Sequence, residues 1–170
     1  MDVINLYGGP GSGKSTVAAE VYGILKRSGV VVEIQREWCK GPVWDEYHKA
    51  LKDQYYIFAK HYRELARFER GNVKVVVSDA PLLLSMIYGH EEGTNFRSYV
   101  WDVYRRFSNF NVFLERDRKY HRKGRLQTKR QALDLDSKIK AELIEIISVH
   151  MIENTPTAAG AIVTAWKASI

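Results

Sequence analysis

Cysteine is almost absent from this 170-residue chain: Cys39 is alone. One cysteine cannot close a disulfide within the chain, and no zinc site can be built from thiolates. With no partner base in view, Cys39 reads as a plain small residue in a reducing compartment. No apolar run approaches the eighteen or so residues that a membrane-crossing helix needs. The opening MDVINLY has no basic, export-type start, so the expected location is the cytoplasm. The five histidines show no metal-ligand spacing. With only four prolines, there is no Pro-rich linker, and no repeat or low-complexity stretch appears. The expectation is one domain over 1–170.

What the chain does have is an ordinary apolar fraction, 45%, and a surplus of base: 26 Lys and Arg against 20 Asp and Glu, a formal charge of +6. Such a balance suits acidic partners, among them nucleotides, nucleic acid and anionic surfaces, without choosing between them.

Short apolar segments alternate with segments of helical period. DVINLY, 30–35, NVKVVVSD (72–79), NFNVFLERD (109–117) and GAIVTAW (160–166) read as strands. Residues 15–29, 43–70, 81–89, 95–108 and 129–150 read as helices. Strand–helix alternation predicts an α/β fold in three layers, a parallel five-stranded sheet flanked by helices.

Four glycines fall within LYGGPGSGKST. Residues 8–15, GGPGSGKS, fit G-x-x-x-x-G-K-[ST], the phosphate-binding loop, with a strand before it and a helix after. Phosphate oxygens need converging N–H donors, which side chains would obstruct, hence Gly8, Gly9, Gly11 and Gly13, with Pro10 and Ser12 completing the loop. The helix that follows adds free N–H groups and the positive end of its dipole. Lys14 is expected on the β- and γ-phosphates of ATP, the Ser15 hydroxyl on Mg²⁺ and Thr16 near the α-phosphate.

In open parallel sheets ligands gather at the carboxyl ends of strands. Arg36 and Glu37 follow the second strand; Glu37 is either a general base for an acceptor hydroxyl or a solvated loop acid. Asp79 follows the third and reads as a magnesium ligand or base, with an N-cap of the next helix as the alternative. Trp38 is either a stacking platform for a base or part of the core. Residues 115–130 carry five arginines and three lysines. They form either a solvated basic loop or a mobile segment about 116–127 whose Arg116, Arg122 and Arg125 stabilise charge on a phosphoryl group in transfer, with Gly124 as a hinge.

With GGPGSGKST, QREW, SDAPLLLS and the arginine-rich segment in view, residues 1–150 resemble the P-loop kinases that include thymidylate kinase and the deoxynucleoside kinases. The resemblance implies an ATP- and Mg²⁺-dependent phosphotransferase with an arginine-rich lid. It gives Glu37 the base or substrate-positioning role, with Arg36 and Trp38 at the acceptor. The usual Asp-Arg or Glu-Arg after the third strand is Asp79-Ala80-Pro81 here, so that arginine comes from elsewhere or is absent. INLYGGPGSGKST, the PLLLS-x-IYG stretch and FLER with its following Gly-Arg resemble more closely the short basic P-loop kinases of bacterial viruses, some of which phosphorylate 5-hydroxymethyluracil in DNA. The implied acceptor is that hydroxymethyl group; a free nucleoside or nucleoside monophosphate is the alternative. A regulatory ATPase is a third reading, and no Asn-Lys-x-Asp stretch for guanine is present.

Overall fold

A computed structural model describes residues 1–39, 41, 53–116 and 128–170. Five parallel strands form one sheet: β1 Asp2–Tyr7, β2 Val32–Gln35, β3 Val75–Ser78, β4 Ser108–Glu115 and β5 His150–Glu153. Their order across the sheet is β2-β3-β1-β4-β5. The helices are α1 Lys14–Arg27, α2 Gln54–Arg70, α3 Leu82–Tyr88, α4 Gly93–Tyr104, α5 Lys129–Ile146 and α6 Ala158–Lys167. The expected three-layer α/β architecture is the one observed.

Successive strand residues face opposite sides, and both sides are covered. Val3, Tyr7, Val76 and Phe113 join a core with Leu65, Leu83, Phe96 and Leu143 from α2, α3, α4 and α5. Ile4, Leu6, Val75, Val77, Val112 and Leu114 join a second core with Val17, Val21 and Leu25 of α1 and Ile162 and Trp166 of α6. This double burial is why the strands read as nearly continuous valine and isoleucine.

The last strand departs from expectation. Residues 160–166 are not a strand but lie within α6, where Ala158, Ala159, Ile162, Val163 and Trp166 are buried. That spacing is helical, and the small alanines let α6 lie close to α1 in the second core. A seven-residue apolar run has no period of its own long enough to decide. The fifth strand is instead HMIE, a four-residue edge strand that pairs Val112 with His150 through Glu115 with Glu153. Three of its four residues are exposed, so no buried pattern marked it. The helix expected from 43 is described from Gln54, with the Asp53 carboxylate accepting the Tyr56 N–H at 2.8 Å; Val43, Tyr47 and Leu51 lie outside the described residues. Among the described residues no helix is long and apolar enough to cross a membrane.

Candidate functional site at the carboxyl edge of the sheet

Parallel pairing brings four strand ends to one edge. Asn5 of β1 is level with Ser78 of β3, which is level with Gln35 of β2, and Tyr7 is level with Phe113 of β4. The glycine loop, Arg36–Glu37, Asp79 and Arg116 therefore leave the sheet on the same side. A cavity of about 440 Å³ lies at the opposite, amino edge, lined by residues including Asp2, Asn109, Phe110 and His150; none of the chemistry-bearing residues above reaches it.

The loop turns directly out of β1 and feeds α1, where Thr16 and Val17 donate to the Gly13 carbonyl at 3.0 and 3.1 Å. Gly13 has φ +97°, and a Cβ there would stand 2.0 Å from Nδ2 of Asn154. Only glycine satisfies both conditions. Asn154, fully buried at the end of β5, donates from that nitrogen to the Ser12 carbonyl. The Lys14 ammonium donates to the carbonyls of Gly8 at 2.7 Å and Gly9 at 3.3 Å. It is thus drawn back across the loop, with its remaining donor capacity available to an anion. Among the described residues Ser12 Oγ is buried without a hydrogen-bond partner. Ser15 and Thr16 are exposed at the start of α1.

Arg116 closes on this loop from the end of β4. Its Nη2 donates to the Pro10 carbonyl at 3.0 Å and its Nε to Asp136 Oδ2 at 2.9 Å. The other Asp136 oxygen accepts a short hydrogen bond from the Gly9 N–H. The side chains of Arg116 and Asp136 are 10% and 15% exposed. Arg122 and Arg125, with the rest of 117–127, lie outside the described residues.

On the β2–β3 side of the loop the strand ends are tied through side chains. Ser78 Oγ donates to Gln35 Oε1 at 2.7 Å, Gln35 Nε2 donates to the His61 carbonyl at 2.7 Å, and the Asp79 N–H donates to the Gln35 carbonyl at 3.0 Å. His61 Nε2 in turn accepts the Trp38 N–H at 3.4 Å. Burial lowers the His61 pKa to about 4, against a weaker upward pull from Asp79, so the ring is neutral and free to accept. Asp79 is itself 3% exposed. The N-cap position of α3 is Pro81 rather than Asp79.

Glu37 is half-buried and Arg36 exposed. Desolvation raises the Tyr88 phenol, with smaller upward contributions from Glu37, Asp136 and Cys39. Burial, then Glu37, pushes the Cys39 thiol up to about 12, which suits a protonated, unreactive residue. The Trp38 ring meets Tyr56 edge-on at 5.1 Å, and Lys60 lies 5.0 Å from the Tyr56 centroid and 5.9 Å from that of Trp38.

The sequence reading missed Asp136, Asn154 and His61. The first two meet the loop across 127 and 142 residues of chain, and neither sits in a motif. The periodic burial of α2 was the only signal for His61.

No curated protein matches the chain. Among solved structures it is similar to deoxyadenosine kinase from M. mycoides. The form holding dCMP and a flexible dCDP as products gives TM-score 0.58 at 19% identity, covering 98% of this chain and 99% of that one. The dATP-bound form gives 0.55 at 17%, covering 97% and 99%. At such identities the likeness establishes the fold, an α/β P-loop kinase fold. A family model described as an AAA domain matches residues 3–158, nearly the whole chain, and the chain belongs to that family.

Proposed function

We propose that the protein is an ATP-dependent phosphotransferase acting on a hydroxyl of a nucleoside- or nucleotide-type acceptor. The observation that carries this reading is the glycine loop at the carboxyl end of the central strand, with Asp79 after the neighbouring strand β3 and Glu37 after β2, one strand further out. The residues fit a triphosphate: the Gly13 position excludes a Cβ, Lys14 is held across the loop, and a buried hydroxyl faces no protein partner among the described residues. Magnesium would be held by Ser15 and Asp79. No cluster of three or more His, Cys, Asp or Glu suited to a metal occurs among the described residues.

ATP supplies the phosphoryl group and Mg²⁺ offsets its charge. Lys14 and the loop amides hold the β- and γ-phosphates, and Thr16 the α-phosphate. Glu37 orients the acceptor hydroxyl and takes its proton as the new O–P bond forms and the bond to ADP breaks, an effect typically worth 10²–10⁴-fold. Asp79 is the alternative base. Arg36 and Trp38 line the acceptor, and Arg116, Arg122 and Arg125 offset developing charge.

The fold shared with deoxyadenosine kinase, whose structures hold dCMP, dATP and dCTP, favours a free deoxynucleoside or its monophosphate as acceptor. The charge of +6 favours a polyanion, and with it the 5-hydroxymethyl group of 5-hydroxymethyl-deoxyuridine in DNA, reached by turning the base out of the duplex. Incubation with γ-labelled ATP and Mg²⁺ separates them. Label on a free nucleoside or nucleotide selects the first acceptor, and label on hydroxymethyluracil DNA but not ordinary DNA selects the second. Phosphate release indifferent to every acceptor would overturn the transfer reading in favour of a regulatory ATPase, the activity the AAA domain family name suggests.

A further inference from the structure

We propose that Asp136 is a positioning residue for the triphosphate site, holding the crown of the glycine loop with one carboxylate oxygen and Arg116 with the other. The assignment rests on the phosphate-binding reading of the loop, but not on the identity of the acceptor.

Asp136 lies in the second turn of α5, 127 residues from the loop it touches. One oxygen accepts the Gly9 N–H; the other accepts Arg116 Nε at 2.9 Å, while Arg116 Nη2 reaches the Pro10 carbonyl at 3.0 Å. Two consecutive loop residues are thus fixed by one ion pair, Gly9 through Asp136 and Pro10 through Arg116. The approach is close enough to dictate the residue at position 9. A Cβ on Gly9 would lie 2.6 Å from Asp136 Oδ1 and 2.9 Å from the Ala132 carbonyl, so α5 packs against bare backbone.

Placing a carboxylate beside a loop that binds phosphates is electrostatically adverse, since like charges at this range in a partly dry site repel strongly. Arg116 removes the penalty by neutralising Asp136, and Asp136 in return orients the guanidinium through one oxygen, with Nε at 2.9 Å and Nη2 at 2.8 Å. With the pair at 10% and 15% side-chain exposure, little solvent screens it. Arg116 therefore acts on the triphosphate in part by masking Asp136, and the two residues depend on each other.

That dependence gives a crossing pattern no independent pair would show. Calorimetry with Mg²⁺ and ATP is run on the whole chain, on Arg116→Met, on Asp136→Asn and on the double variant. Arg116→Met exposes an unmasked carboxylate to the phosphates and should weaken binding at least tenfold. Asp136→Asn keeps an acceptor for Gly9 N–H and should weaken it less. The double variant should bind more tightly than Arg116→Met alone. A double variant whose loss is the product of the single losses refutes the coupling, and so does an Arg116→Met that binds as the parent does. Arg116→Lys, which keeps the charge and loses the guanidinium, is the second probe should Arg116→Met fold poorly: it should bind within a few-fold of the parent, and a tenfold loss there would overturn the masking role. If the parent itself shows no heat, the donor-site reading fails rather than this one.

Discussion

Acid should loosen the acceptor side of the site through one buried ring. His61 is 5% exposed, and burial holds its pKa near 4 rather than 6.5. The unfolded chain therefore binds a proton at pH 5–6 that the folded chain refuses. Stability is then full above pH 6.5 and falls as pH drops towards 4. At 1.36 kcal/mol per pKa unit, a shift of this size is worth about 3 kcal/mol by pH 4. A proton on Nε2 also turns that atom from acceptor into donor, so the Trp38 N–H loses its partner and the Glu37 segment loses a tether. Urea denaturation between pH 7.5 and 4 measures the effect in the parent and in His61→Gln. Glutamine offers Trp38 an oxygen and does not titrate, and acid effects common to both chains cancel in the difference. The variant's unfolding free energy should fall with acid by about 3 kcal/mol less than the parent's. Parallel pH profiles for the two would refute the argument.

Lys14→Ala should weaken Mg²⁺–ATP binding roughly ten- to hundredfold, the worth of a charged hydrogen-bond donor, while circular dichroism stays that of the parent; undiminished heat in calorimetry would move the donor site elsewhere. Gly13→Ala should cost about 2–5 kcal/mol in urea, from the left-handed backbone and the displaced Asn154 bond together, and a midpoint within error of the parent would contradict the geometry. Glu37→Gln should lower kcat by about 10²–10⁴ with ATP affinity unchanged; if Asp79→Asn does this and Glu37→Gln does not, the base is Asp79.

The sequence was most readable where structure is local. The loop motif needs only eight consecutive residues between a strand and a helix. The helical run from Lys129 was read at its true start, where the structure shows Thr128 and Gln131 bonding each other's backbone N–H. Strands buried on both faces announce themselves by composition, and so β1, β3 and β4 were legible; edge strand β2 was legible from its β-branched residues, while β5, exposed at the other edge, was not. The run 160–166 was misread because its alanines, Ile162 and Val163 suit either period, and the choice fell to packing against α1. Asp136 and Asn154 reach the loop from the far end of the chain, and nothing in their neighbourhood of sequence records whom they will meet. Glu37 and Asp79 were legible as strand-end acids, whereas their link through Gln35, Ser78 and His61 appears only once β2, β3 and α2 are assembled.

The central position of β1 has a bearing on how the molecule is made. Residues 2–7 find their neighbours at 75–78 and 108–113, and the segment after them is buttressed by Asn154. During synthesis this stretch emerges ahead of the partners that complete it and waits for them. Contacts so distant along the chain make for slow assembly and leave an apolar strand uncovered meanwhile. Affinity for nucleotide is accordingly acquired at the close of folding, and nascent chains stalled short of residue 154 should emerge without it.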